Sequence, residues 1–105
     1  MHKIITMNDL IYLGQFSVQE KTDIFSQVAD QIIEGDYLNL VTHLQQVEIF
    51  WHDIKLGVLK TEIDKIIYQL IRQHVPLCVE VIQSFTKEDP QIHFNINMDL
   101  TNYSV

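Results

Sequence analysis

The stretch from Asp36 to His74 constrains the fold most, because its apolar residues recur at alternating steps of three and four. The first run of this pattern consists of Tyr37, Leu40, Leu44, Val47, Trp51, Ile54 and Val58. A second apolar set follows Gly57 in a shifted register and consists of Leu59, Ile63, Ile66, Ile67, Leu70 and Ile71. Apolar residues at this spacing form one stripe along an α-helix. The pattern therefore predicts one helix over 36–57 and another over 60–74.

The joint between these two helices falls at Gly57. Either the helix continues through a stutter in its heptad pattern, or it ends and restarts with Thr61 as a cap. We favour a bend or a break, because the unbroken heptad register would place Thr61 and Lys65 in the core, whereas the apolar residues that follow are displaced from it. A narrower second stripe of Leu38, Ile49 and Leu56 predicts that the first of the two helices is contacted from two sides.

A capping box at Ser17–Glu20 predicts a third helix, over 18–34, which ends at Gly35. One face of this helix would be apolar and the opposite face would be acidic. Pro76 would terminate the helix over 60–74. Two interpretations of 77–86 stay open, because its apolar residues suit either a strand or a short helix.

Strict alternation of apolar and polar residues predicts a half-buried strand over about 91–98. Residues 2–6 could form another short strand. Alternatively, Thr6 or Asn8 could cap a short helical turn that contains Leu10, Ile11 and Leu13 and ends near Gly14. Taken together, the patterns predict one domain, 1–105, of mainly α class. Three principal helices would form a small bundle with a short C-terminal β element.

The charge balance argues against several classes of partner. Seven Lys and Arg against fourteen Asp and Glu give a net charge of −7. Direct nucleic-acid binding and anionic membranes are disfavoured, because both require basic residues. With one cysteine, no apolar leader at the N-terminus and no run of membrane-spanning length, we expect a cytoplasmic protein.

The acidic face of the helix over 18–34 is the main candidate site. It contains Glu20, Asp23, Asp30 and Glu34, with no basic residue between them on that face. Carboxylates on a rigid helix could dock on a Lys/Arg surface and accelerate association. The competing interpretation is an ordinary solvated face. A linear row does not converge on an ion, so we predict no metal and no cofactor.

Glu48 and His52 form a second candidate, because residues four apart on a helix can interact. A partly buried Glu–His pair could act as a general base or as a pH-sensitive latch. The same spacing is also typical of an ordinary surface pair. No nucleophile or metal-ligand motif accompanies it, so we predict no catalytic residues.

These features predict a non-catalytic protein-binding module. It would be a small acidic inhibitor or regulator of the immunity, antitoxin or phage anti-defence type. Its partner would be a protein with a basic surface, for example one that itself binds nucleic acid. One alternative is a homo-oligomeric helical structural or adaptor protein, and another is a small enzyme that uses Glu48 and His52. The strand over 91–98 needs a neighbour, which could be residues 2–6, residues 77–82 or a second copy in a homodimer.

Overall fold

The fold is mostly β in a computed structural model that describes residues 10–85 and 88–100. Within these described residues, six strands and two short α-helices follow one another. They are β1 Leu10–Ser17, α1 Phe25–Val28, β2 Asn39–His43, β3 Gln46–Trp51, β4 Ile54–Leu59, α2 Asp64–Arg72, β5 Leu77–Phe85 and β6 Gln91–Asp99. A turn of 3-10 helix, Ala29–Gln31, directly follows α1. The predicted three-helix bundle is therefore wrong.

The strands form two antiparallel sheets of three. In the first sheet β6 lies between β1 and β5, and in the second sheet β3 lies between β2 and β4. The predicted strand over 91–98 is present as β6, and the ambiguous segment 77–86 contains a strand, β5. Since β6 is paired on both sides, it does not need a second copy of the chain as a neighbour. Residues 2–6 lie outside the described part of the chain.

Backbone hydrogen bonds join the two sheets along both margins. Beyond the end of β1, Gln19 exchanges two N–H···O bonds with Val58 of β4, of 3.0 and 2.8 Å. At the other margin, Val81 of β5 accepts from Gly35 and donates to Asp36, each at 2.8 Å. The chain entering β2 therefore lines β5 before it joins the second sheet.

The connection between β1 and β2 occupies the sequence predicted as a helix over 18–34. Thr22 lies along β4, where its N–H donates to the carbonyl of Leu56 at 2.9 Å and its hydroxyl donates to the carbonyl of Lys55 at 2.7 Å. A helix beginning at Val18 would lose these bonds to β4. Within the described connection between β1 and β2, helical structure is confined to α1 and the 3-10 turn, which bury Phe25, Val28 and Ala29.

The sequence predicted as a helix over 36–57 forms β2, β3 and most of β4. The second stripe predicted for that helix, Leu38, Ile49 and Leu56, is buried here. Two members of the main stripe, Tyr37 and Leu44, are exposed instead. In a short strand every second residue faces the core. Each turn between two strands changes which sequence positions face inward. A helical period over the whole stretch was therefore coincidental.

The core lies between the two sheets and is closed at one end by α2. Its largest fully buried side chains include Phe25, Ile32, Ile49, Leu56, Ile67 and Phe94. Ile67 brings α2 into this core, with Ile63 and Ile71 packed at its edge. The predicted helix over 60–74 is represented by α2 alone, and Gly57 lies within β4 rather than between two helices. Among the described residues, no helix has the length and apolar character needed to cross a bilayer.

Candidate functional site

The four carboxylates predicted as a docking row are exposed, but no helix aligns them. Glu20 has a left-handed backbone, with φ of 42°, and its carboxylate lies 2.5 Å from the ammonium of Lys60. Asp23 precedes α1, Asp30 lies in the 3-10 turn and Glu34 follows it. The rigid rod assumed for the row is therefore absent. Whether these carboxylates contact a partner stays a prediction.

Glu48 and His52 do not form the pair that a helix would bring together. Glu48 lies in β3, and His52 lies in the turn between β3 and β4 with φ of 55°. Four residues of strand span about 13 Å, whereas four residues of helix span about 6 Å. Glu48 instead accepts a 2.8 Å hydrogen bond from Lys55, and the ring of His52 lies 4.5 Å from that of Trp51.

A cleft lies between the second sheet and α2. We call it the α2 cleft, and its volume is about 500 Å³. It is lined by Gln45, Gln46, Val47, Val58, Leu59, Lys60, Asp64, Lys65, Tyr68 and Gln69. Small-molecule sites commonly have volumes of about 300–1,000 Å³.

Three structural elements position the lining of the α2 cleft. The floor is the end of the β3–β4 ladder, where Val47 pairs with Leu59, and both side chains are buried. The turn between β2 and β3 contributes Gln45 on one side. The first turns of α2 form the opposite wall, because residues 64, 65, 68 and 69 share one face of a helix. The result is an apolar floor with a polar rim.

The rim of the α2 cleft includes the basic side chain of Lys65. Within 10–85 and 88–100, Lys65 has no carboxylate at ion-pair distance, whereas Lys60 contacts Glu20. Asp64 also lies on the rim, in the first turn of α2, where the helix dipole favours a negative charge. Lys65 is thus the rim cation that remains available to a ligand.

The remaining reactive groups do not assemble into a site. In the described part of the chain, no three His, Cys, Asp or Glu side chains are placed to hold a metal ion. Cys78 is a free, half-buried thiol on β5. Burial raises the pKa of the Cys78 thiol, and the carboxylates of Glu80 and Asp99 raise it further.

The sequence contained only a partial signal for the α2 cleft. The amphipathic pattern of α2 indicated that Lys65 and Gln69 lie away from the core. Nothing indicated that Gln45 would face them, because the turn between β2 and β3 contains no Gly, Asn or Pro to mark it. The cleft depends on this turn, so it became visible only in the folded structure.

No protein-family model matches the chain, and no curated protein or solved structure is significantly similar to it.

Proposed function

We propose that this protein is a non-catalytic binding module that holds an anionic, partly apolar ligand in the α2 cleft. The observation that supports this proposal is a cavity of about 500 Å³ with a buried apolar floor and with Lys65 in its lining, a cation that has no ion-pair partner among the described residues. An aromatic or aliphatic body would cover Val47 and Leu59, and its anionic group would pair with Lys65. The side-chain amides of Gln45, Gln46 and Gln69 could orient it by hydrogen bonds.

The electrostatics of the whole chain bear on this choice of ligand. A net charge of −7 repels anions at long range. Physiological salt screens charges beyond about 8 Å, so the field inside the cleft depends on the side chains that line it. Lys65 therefore attracts an anionic group locally, whereas Asp64 on the same rim repels it, so the group would bind on the Lys65 side of the cleft. The distant carboxylates mainly slow the approach of the ligand.

The proposal can be tested with 8-anilinonaphthalene-1-sulfonate, an aromatic anion whose fluorescence increases in apolar surroundings. We expect Lys65→Gln to weaken its binding about tenfold, which corresponds to about 1.4 kcal/mol. Arg72→Gln is the matched control. It removes another exposed α2 cation without an ion-pair partner among the described residues, but one that does not line the cleft. Equal weakening by both variants would contradict the proposal.

Two competitors test whether the cleft prefers a phosphate or a carboxylate group. Adenosine monophosphate offers a phosphate on an aromatic body, and indole-3-acetate offers a carboxylate on one. Displacement of the dye by either compound identifies the preferred group. Gln69→Trp, which places a large side chain on the cleft wall, should reduce binding of the dye and of both competitors while circular dichroism stays unchanged.

Docking of a basic protein is a second candidate function, supported by the exposure of three carboxylates. Asp23, Asp30 and Glu34 are exposed, and none has an ion-pair partner in the described part of the chain. A lysine-rich peptide should bind more weakly to the triple Lys variant at these positions. The matched control reverses Asp53, Glu62 and Glu88, which are also exposed. Equal loss in both variants would indicate only an effect of net charge.

A further inference from the structure

The rim of the α2 cleft presents a carboxylate as well as an ammonium group. Asp64 and Lys65 are consecutive residues at the start of α2, and both line the cleft. Within the described residues, neither side chain has an ion-pair partner. They do not pair with each other either, since consecutive residues of a helix do not face one another. The cleft therefore offers a ligand one unpaired charge of each sign.

The carboxylate of Asp64 is the less expected of these two charges. Asp64 is half-buried, so its carboxylate has lost part of its contact with water. In the part of the chain that the structure describes, no side chain and no backbone N–H donates a hydrogen bond to it. A partly desolvated carboxylate without a donor is unfavourable, and a cationic donor compensates it best. Asp64 thus favours a ligand that brings a cationic group.

The charges around the α2 cleft cancel. The ammonium of Lys60 is paired with the carboxylate of Glu20, 2.5 Å away. The two unpaired rim charges, on Asp64 and Lys65, have opposite signs. A purely anionic ligand would leave the Asp64 carboxylate unpaired, and it would approach a chain of net charge −7. A zwitterion of zero net charge matches both rim charges and meets no such long-range repulsion.

We propose that the ligand of the α2 cleft is a free α-amino acid with an apolar side chain. This inference rests on the proposed function, because the carboxylate of the amino acid is the anionic group that pairs with Lys65. Its ammonium pairs with Asp64, and its side chain covers the buried floor of Val47 and Leu59. Tyr68, half-buried on the helical wall, adds an aromatic surface against which that side chain can pack.

The spacing of the two rim charges favours a free amino acid over a peptide. Asp64 and Lys65 are adjacent in the chain, so the groups that they bind must also lie close together. In a free α-amino acid, the ammonium and the carboxylate are attached to the same carbon. In a peptide, at least one further residue separates the terminal ammonium from the terminal carboxylate.

Isothermal titration calorimetry with three related compounds tests this inference. L-Phenylalanine has both charges, 3-phenylpropionate lacks the ammonium and phenethylamine lacks the carboxylate. We expect the wild-type chain to bind phenylalanine at least about tenfold more tightly than either analogue. If either analogue binds as tightly as phenylalanine, the inference is overturned. It is also overturned if phenylalanine does not bind.

Two variants assign each ligand charge to its rim residue. Asp64→Asn should weaken phenylalanine binding about tenfold without weakening 3-phenylpropionate, and Lys65→Gln should weaken phenylalanine about tenfold without weakening phenethylamine. Glu62→Gln is the matched control for Asp64→Asn, because Glu62 is an exposed carboxylate just before α2 that does not line the cleft. Circular dichroism checks that each variant stays folded. Equal weakening of phenylalanine by Asp64→Asn and Glu62→Gln contradicts the inference.

Binding of 8-anilinonaphthalene-1-sulfonate separates failure of this inference from failure of the proposed function. The dye has an anionic group but no cationic group, so it does not need Asp64. If Lys65→Gln weakens dye binding while phenylalanine does not bind, the cleft holds anions and only the amino-acid assignment is wrong. If Lys65→Gln leaves the affinities for the dye and for phenylalanine unchanged, both the proposed function and this inference are wrong.

Discussion

Gly57 of β4 lies against the carbonyl oxygen of Gln19, with no room for a side chain between them. A Cβ at Gly57 would also stand 2.7 Å from Cγ1 of Val18. This close approach allows the backbone bonds between Gln19 and Val58, which join the two sheets at one margin. Gly57 is therefore needed for the contact between β4 and the chain that follows β1, and not for a bend in a helix.

Gly57→Ala should destabilise the protein by about 3 kcal/mol, because the added methyl group would push the chain after β1 away from β4. Gly35→Ala is the control. Gly35 has φ of 91°, but no atom lies within 4 Å of the place that a methyl group would take, so only backbone strain applies, at about 1–2 kcal/mol. Urea unfolding measures both. If Gly57→Ala lowers the free energy of unfolding no more than Gly35→Ala does, the close contact at Gly57 is not important for stability.

Gln45→Gly should stabilise the protein by about 0.5–1 kcal/mol. Glycine adopts a φ of 63° without steric cost, although it loses more backbone entropy on folding. Thermal unfolding at low protein concentration would show the change as a higher midpoint. A lower midpoint would mean that the Gln45 side chain makes a contact worth more than the backbone strain.

Lys55→Met should destabilise the protein by about 2 kcal/mol, because it leaves the carboxylate of Glu48 without its cation. The side chain of Glu48 is 12% exposed, so water can replace the lysine only in part. Glu48→Gln should cost less, since the amide oxygen can still accept from Lys55. Urea unfolding of both variants would reveal this order, and the reverse order would contradict it.

Cys78 should react slowly with iodoacetamide at pH 8. The raised pKa of its thiol leaves a smaller fraction as thiolate, which is the reactive form. The rate should therefore continue to rise above about pH 9, where a typical exposed thiol approaches its plateau. Mass spectrometry measures the alkylation rate of Cys78 and that of a cysteine-containing reference peptide. A plateau at the same pH as the peptide would contradict the expected shift.

Glu20→Gln should tighten binding of the naphthalene sulfonate about two- to fivefold, if the α2 cleft is the binding site. The Glu20 carboxylate forms an ion pair with the Lys60 ammonium at the cleft rim, and Glu20→Gln leaves that ammonium available to the ligand. An exposed ion pair of this kind contributes less than about 1 kcal/mol. Asp53→Asn removes another exposed carboxylate, and it should leave the affinity unchanged. Equal tightening in both variants would point to net charge instead.

The sequence predicted the structure well where one periodicity was unambiguous. Strict alternation in β6 marked a strand, and the amphipathic pattern of α2 marked a helix. The error over 36–57 arose because three short strands with two-residue turns can imitate a heptad pattern. The turns Leu44–Gln45 and His52–Asp53 contain neither Gly nor Pro, so no residue type interrupted the pattern. The richness of β3 in Val, Ile, Phe and Trp was the better indicator of a strand.

The candidate site was less predictable than the fold elements. Exposed carboxylates could be identified from the sequence, but their arrangement depended on a helix over 18–34 that the bonds to β4 replace. The α2 cleft combines side chains from the β2–β3 turn, the end of β4 and α2. Such long-range proximity is set by sheet pairing, which local patterns do not encode.

The pairing of β1 with β6 has a consequence for how the chain is made. Leu10 pairs with Asp99 and Ser17 pairs with His93, so the first of the described strands to be synthesised joins the last. At roughly 5–20 residues per second, β1 waits on the order of 5–15 s for this partner. Until then its half-buried Leu13 and Phe16 lack the neighbouring strand. The first sheet can therefore close only when the ribosome has delivered β6, and a chaperone has that interval in which to bind β1.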